Sequence, residues 1–302
     1  MKTDGPCLIP FLRWAGGKRW LIRKCASILR NRLTGSNSYI EPFLGSGAFL
    51  FGLAPERAII GDINEELIQS FQAVARYEAE IPKRLLNIPV DPEHYLQQRS
   101  SRPKSGLQTA VRFIYLNRTC YGGLHRTNKK GQFNVPFGGG TRTPKPMIQD
   151  GTLRKAASYL RTARIQYCIG DFERTLQFAR PGDIVYCDPT FRAVTRTGYD
   201  RYGPKIYSWD DQIRLTKILS GLYDMGCLVL MSTQAWNGLK TLAPKSALIE
   251  VKRIKGISPN ACHQESEYLF VMDPESDWDP WDKVGNIVLP QSTRHRSTEI
   301  AA

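Results

Sequence analysis

The 302-residue sequence predicts an open α/β fold: one sheet, interrupted by a mainly helical and basic insert. Three observations point there. Short apolar runs end in acids, as in Ile59-Ile60-Gly61-Asp62 and Ile184-Val185-Tyr186-Cys187-Asp188, which places carboxylates at the carboxyl edge of a sheet, where open α/β folds bind ligands. Helical periodicity separates these runs. Positive charge is concentrated in one segment between them.

Taken in order, Ser38 to Leu50 reads as strand, glycine turn and helix, with Gly45 and Gly47 letting the backbone approach a nucleotide-like ligand. Leu50 stands at the third glycine position of a dinucleotide fingerprint, and the turn lacks the Lys-Ser/Thr ending of a phosphate-cradling loop, so neither an NAD site nor a P-loop fits. After Asp62, the apolar positions Leu67, Ile68, Phe71, Val74 and Ala75 form one helical face. Glu65 and Glu66 lie in its first turn, where the dipole favours acids. Prolines from Pro82 to Pro92 break the pattern, and a helix-like run resumes with Val111, Ile114 and Tyr115. The sheet returns at Ile165 to Cys168, passes through Asp188, and includes Cys227 to Met231, Ala247 to Val251 and Tyr268 to Met272. Between these strands, Ser208-Trp209-Asp210-Asp211 fits a capping box before a helix bearing Ile213, Leu215, Ile218, Leu219 and Leu222. The expected organisation is a discontinuous catalytic domain (1–64 and 151–273), an insert (65–150) and a tail (274–302) carrying Trp278 and Trp281 among acids.

Composition bounds the partners. The net charge is +14, and residues 99 to 166 hold fourteen Lys/Arg against one acid, Asp150, which accounts for +13 of it. Such segregation points to a polyanion, because clustered cations release condensed counterions from phosphates. The seven cysteines include no Cys-x-x-Cys pair, which favours reduced thiols, and the four histidines have no metal-ligand spacing. No metal is expected. The first twenty residues contain prolines and a Gly-Gly pair where a secretory signal needs an apolar run, and no stretch is long and apolar enough to span a membrane, so the expected location is the cytoplasm.

The run Asp188-Pro189-Thr190-Phe191 by itself also suits an ordinary turn. Four blocks taken together say more: Phe11-Leu12-Arg13-Trp14-Ala15-Gly16-Gly17-Lys18, Glu41-Pro42-Phe43-Leu44-Gly45-Ser46-Gly47, Gly131-Gln132-Phe133-Asn134-Val135-Pro136-Phe137-Gly138, and the Asp188 block. In order and spacing, as far as about Asp273, the chain resembles the Dam-type DNA adenine N6-methyltransferases (D12 class, alpha group), which use S-adenosylmethionine. One departure is Thr190, where the family normally has a second proline.

The resemblance implies a Rossmann-like methyltransferase sheet whose basic insert recognises DNA. It also implies roles for individual residues. Trp14, Gly16, Gly17 and Lys18 look like the amino-terminal cofactor cluster, and Glu41, Phe43, Gly45 and Gly47 like the loop under its methionine portion. Asp62 matches the ribose acid, and Asp171 and Phe172 resemble the segment that binds the cofactor's adenine. Adenine N6 is a poor nucleophile while its lone pair is delocalised, so two acceptors, the Asp188 carboxylate and the Pro189 carbonyl, would draw its protons out of conjugation. Phe191 would stack on the extruded base. Asp188 also stands alongside the cofactor residues.

The tract Asn117 to Asn128 resembles the family's groove-entering hairpin. Tyr121 and Leu124 would wedge near the vacated base. Arg126 would contact guanine O6 and N7, which makes GATC the expected target. Asn128 and Arg13 would also meet DNA, with Lys129 and Lys130 on phosphates. Two other readings stay open: a catalytically impaired DNA-binding protein that keeps the fold, and a methylase acting on RNA or cytosine N4. A cognate restriction endonuclease is a further expected partner.

Overall fold

The computed structural model describes residues 8–128, 130–189, 207–233, 246–258 and 261–288. Eight strands and ten α-helices are found along these residues, a mixed α/β fold of the Rossmann-like methyltransferase kind. Contacts divide them into two compact units. One holds residues 8–26 and 41–176, the other residues 27–40 together with those beyond 176. The chain passes between units inside α1 (Arg19–Arg32) and β1 (Tyr39–Glu41).

The first unit is built on a parallel strand pair. β2 (Arg57–Asp62) and β3 (Arg164–Ile169) run in register from Arg57 opposite Arg164 to Asp62 opposite Ile169. Every residue of α2 (Ala48–Leu53) is buried, as its all-apolar sequence requires. The expected amphipathic helix is α3 (Glu65–Arg76). Its buried face carries Leu67, Ile68, Phe71 and Val74, and Asn64 caps it by accepting the Leu67 amide at 3.2 Å.

Two prolines of the next stretch lie at helix starts rather than interrupting helices. Pro82 lies in the first turn of α4 (Glu80–Leu86) and Pro92 opens α5 (Pro92–Ser100), positions where a missing N–H costs no helical bond. The following helix, α6 (Gly106–Thr119), is buried over most of its length, including Arg112. The Arg112 guanidinium bonds both carboxylate oxygens of Glu66 at 3.0 Å and the carbonyls of Gln98 and Arg99, which satisfies a charge that would be costly to bury alone. Part of the basic excess read from the sequence is therefore internal. α7 (Lys145–Gln149) and α8 (Thr152–Thr162) lead back to β3, and the short α9 (Glu173–Leu176) follows it. Residues 65–150 lie wholly inside this unit.

In the second unit the strands follow the order β1, β4 (Ile184–Cys187), β5 (Leu228–Thr233), β7 (Ala261–Met272), β6 (Ala247–Ser258) and β8 (Asn286–Val288). β4 (Ile184–Cys187) pairs in parallel with β1 and with β5 (Leu228–Thr233), and both β4 and β5 are buried throughout, which explains their unbroken apolar sequences. β6 (Ala247–Ser258) and β7 (Ala261–Met272) form an antiparallel pair, with β7 against β5. The expected capping box is present at α10 (Trp209–Asp224): Ser208 accepts the Asp211 amide, and the Asp211 carboxylate accepts the Ser208 amide.

Beyond Asp273, where the sequence suggests a tail, residues 274–288 carry defined structure. Asp279–Lys283 form a 3-10 turn, and Asn286–Val288 form β8 against β6. The cause is one buried side chain, Trp281, whose indole donates to Asp273 at 3.3 Å while Arg32 bonds the same carboxylate oxygen at 3.0 Å. Charged neighbours mask this anchor in the sequence. Residues 289–302 lie outside the described residues.

Trp281→Ala is expected to lower the unfolding free energy by about 3–5 kcal/mol in a urea titration, the usual cost of removing a buried aromatic ring. A loss below about 1 kcal/mol would show that Trp281 does not anchor this segment.

Candidate functional site

In the first unit the site is organised by the carboxylate that ends β2. Asp62 accepts the Gly45 amide at 3.1 Å on one oxygen and the Asn64 amide at 2.9 Å on the other. It thereby ties the glycine turn after Glu41 to the start of α3. The Asp62 carbonyl accepts the Gly170 amide at 3.0 Å, and Gly61 accepts the Leu44 amide at 2.9 Å, so three loops converge on the end of one strand. Burial pushes the Asp62 carboxyl up to about 6, with the amide bonds acting in the opposite direction.

The glycines of the turn answer to two constraints. Gly45 has φ +50°, and a Cβ there would lie 3.0 Å from the Trp14 indole nitrogen, so the indole covers a bare backbone. At Gly47, φ is +69° and a Cβ would press on Phe51 and Phe71. Glu41 is buried and accepts the Leu50 amide at 3.2 Å, supplying an acceptor in the first turn of α2 that its glycine cap cannot.

Aromatic groups line the same place. Phe43 and Phe172 pack with ring centroids 5.6 Å apart, and the Asp171 carboxylate accepts the Glu173 amide just beyond. Lys18 is buried, its ammonium donating to the Gly16 carbonyl at 3.0 Å, while Gly17 closes a turn onto Trp14. Trp14, Phe43, Gly45, Asp62 and Phe172 are thus brought together from four stretches of chain. Glycine backbone, an acid with open surface and two apposed rings together suit a nucleoside-like ligand, with the acid on ribose hydroxyls and a ring on the base.

The basic tract forms an antiparallel hairpin in the same unit. Thr127 bridges Phe133, the Asn128 amide donates to Gln132, and the Asn134 amide donates to Arg126. The side chain of Asn128 is spent on the turn: its oxygen accepts the Lys130 and Gln132 amides, and its nitrogen donates to Gln132. Arg126 donates through Nε to the Asn134 side-chain oxygen at 2.8 Å, which aims the guanidinium. Tyr121 is 62% exposed, the largest exposure among the bulky apolar side chains described, and so is available as a wedge. Leu124 is half-buried; Arg13 and Lys130 are exposed. Lys129 lies outside the described residues.

Arg13 is held from α6. Its amide donates to the Asn117 side-chain oxygen at 2.8 Å and its carbonyl accepts from the Asn117 nitrogen at 2.7 Å. Asn64, Asn117 and Asn134 therefore position site residues without having been singled out in the sequence. Asn64 had a local signal, an amide side chain directly before Glu65-Glu66 at a helix start, whereas Asn117 and Asn134 lie in the family-like tract and block without an individual role attached to them.

In the second unit, Asp188 and Pro189 follow β4 directly, Asp188 partly exposed and Pro189 buried. Beneath them the Tyr186 hydroxyl and Ser232 share a buried 2.8 Å hydrogen bond that ties β4 to β5. Thr190 and Phe191 lie outside the described residues. Among the described residues, no group of three His, Cys, Asp or Glu side chains is placed to hold a metal ion, and no helix is long and apolar enough to cross a membrane.

Comparison with known proteins places these features in one family. The sequence profile of D12 class N6 adenine-specific DNA methyltransferases matches residues 14–257. A type II methyltransferase of Lactococcus lactis subsp. cremoris is 34% identical over 238 residues, covering 76% of this chain and 82% of the relative. A type II methyltransferase of Methanocaldococcus jannaschii is 33% identical over 245 residues, covering 74% and 83%. The DNA adenine methylase of Escherichia coli K12 is 32% identical over 257 residues, covering 83% and 89%. The match spans the glycine turn, the Asp62 strand, the hairpin and Asp188 alike, and the chain belongs to the D12 class N6 adenine-specific DNA methyltransferase family.

Proposed function

We propose that this chain transfers the methyl group of S-adenosylmethionine to N6 of an adenine swung out of duplex DNA, with GATC as its target. The observation that carries the cofactor reading is the convergence of Gly45, Asn64 and Gly170 on Asp62, with Trp14 over the turn and Phe43 against Phe172. These residues fit the group. Asp62 would accept ribose hydroxyls, Phe172 and Asp171 would meet the adenine, and the Glu41 to Gly47 turn with Trp14, Gly16, Gly17 and Lys18 would surround the methionine portion. Bound there, the cofactor supplies an electrophilic methyl group on a sulfonium.

Asp188 and Pro189 supply the acceptors for the nucleophile. A carboxylate and a carbonyl on adjacent residues can hold both N6 protons, which turns the nitrogen lone pair out of the ring, and the proton lost on transfer leaves along one of these bonds. Phe191 would stack on the base, worth about 1–3 kcal/mol, against an unstacking cost of a few kcal/mol. A planar, preorganised grip lowers the barrier mainly by positioning.

For DNA, the hairpin would enter the groove with Tyr121 and Leu124 at the vacated base and Arg126 on guanine. The hold of Asn134 on the guanidinium, through Nε at 2.8 Å and Nη2 at 3.4 Å, supports this reading, since it fixes the plane in which the group would meet a base edge. In this arrangement Asn128 shapes the turn, while Arg13, Lys129 and Lys130 meet the backbone. The type II names of two relatives support a partner restriction endonuclease, and the expected setting is a bacterial cytoplasm or that of a phage host. The direct test is to incubate the chain with S-adenosylmethionine and adenine-unmethylated DNA, then sequence modified bases. N6-methyladenine confined to GATC is expected, and its absence from every site would overturn the proposal.

Asp188→Ala is expected to abolish methyl transfer while leaving cofactor affinity within a few-fold of the parent; parallel loss of both would make Asp188 a folding residue instead.

Asp62 gives a pH signature. Its folded pKa, about 6, lies above the ordinary aspartate value, so in the window between them the folded chain holds a proton that the unfolded chain has released. Stability contributed by this group is therefore full at low pH and declines as pH rises through about 6. Asp62→Asn should flatten that decline in denaturant titrations across the window. Cofactor binding needs the carboxylate, so affinity should fall by about tenfold per pH unit below the folded pKa, a slope that calorimetry on Asp62→Asn should not show.

A further inference from the structure

His125 sits inside the hairpin, among aromatic rings. Its ring lies nearly parallel to Trp14, with centroids 5.7 Å apart and 16° between planes. Phe113 and Phe133 close on it from other sides, each 5.6 Å away. Its Nε2 lies 3.2 Å from the Asn64 side-chain nitrogen.

The direction of that last bond follows from its neighbours. The Asn64 side-chain oxygen is committed to the Leu67 amide, so Nδ2 points at His125, and an amide nitrogen can only donate. His125 Nε2 must accept.

Both partners lead to the same loop. Asn64 donates its backbone amide to Asp62, Asp62 accepts the Gly45 amide, and Gly45 lies under the Trp14 indole. His125, Asn64, Asp62, Gly45 and Trp14 form a closed ring of contacts. Arg126, gripped by Asn134, is the next residue along the hairpin. A shift of the hairpin on DNA must move the imidazole, and with it either the indole over the glycine turn or the amide beside the acid.

We infer that His125 is a positioning residue that couples DNA engagement by the hairpin to closure of the cofactor loop. The inference rests on the proposed reading of Trp14, Gly45 and Asp62 as the cofactor site. Coupling of this kind is reciprocal: DNA that fixes the ring favours the cofactor, and cofactor favours DNA by the same factor.

The test is calorimetric titration of S-adenosylhomocysteine into the full chain, alone and with fragments of adenine-unmethylated plasmid DNA. The parent should bind more tightly with DNA, by a factor on the order of tenfold. His125→Phe keeps a ring on Trp14 and loses the acceptor for Asn64, so affinity without DNA should stay near that of the parent while the DNA enhancement is largely lost. His125→Ala should lose the enhancement and also bind more weakly without DNA. A fall in the folded fraction changes stoichiometry and leaves the enhancement unmoved, which separates coupling from mere support of the fold. Parent-like enhancement in both variants, or none in the parent, overturns the inference. Asp62→Ala is the control for the underlying reading: cofactor affinity unchanged there means that the site itself has been misassigned.

Discussion

The arrangement of the first unit depends on how the Asp62 carboxylate is held. Placed at the end of a parallel strand under surrounding protein, it would be costly to ionise without donors, and the donors it uses are the amides of two different loops. Satisfying that acid shapes the glycine turn and the start of α3 together. The same constraint explains why glycine stands at 45, where a side chain would meet the Trp14 indole. It also explains why a group with affinity for hydroxyl donors remains partly open at the strand edge.

The hairpin shows a parallel economy in its polar side chains. Three asparagines in and around it use both ends of their amides: Asn117 on the backbone of Arg13, Asn128 on its own turn, Asn64 between a helix start and an imidazole. Amides suit this task because they donate and accept in a fixed plane without carrying charge. Charged groups are treated differently. Arg112 is buried and bonded through all three guanidinium nitrogens, whereas Lys130 reaches solvent, so the positive segment divides into a structural part and a part available to phosphate.

In the second unit, strands buried on both faces deliver Asp188 at a sheet end. β4, between two parallel neighbours, gives the loop that begins at Asp188 a rigid support. The Trp281 anchor stabilises the far side of this unit, where Arg32 and the indole share one buried carboxylate.

Local signals in the chain were enough for the strands ending at Asp62 and Cys187, for α3 with its acidic first turn, and for the Ser208 capping box, because each depends on periodicity, burial or hydrogen bonds within a few residues. The motif order was likewise enough to identify the family. What lay beyond reach were choices made by distant partners. Pro82 and Pro92 look like breakers until their place in a first turn is known, and Arg112 looks like surface charge until Glu66 is set beside it. Trp281 looks like part of a tail until Asp273 and Arg32 receive it. The contacts around His125 belong to the same class, since Trp14 and Asn64 are remote from it along the chain and only packing brings them to one ring. Sequence determined the family and the local elements; tertiary structure decided which residues hold the others in place, because positioning is a relation between segments that no local pattern encodes.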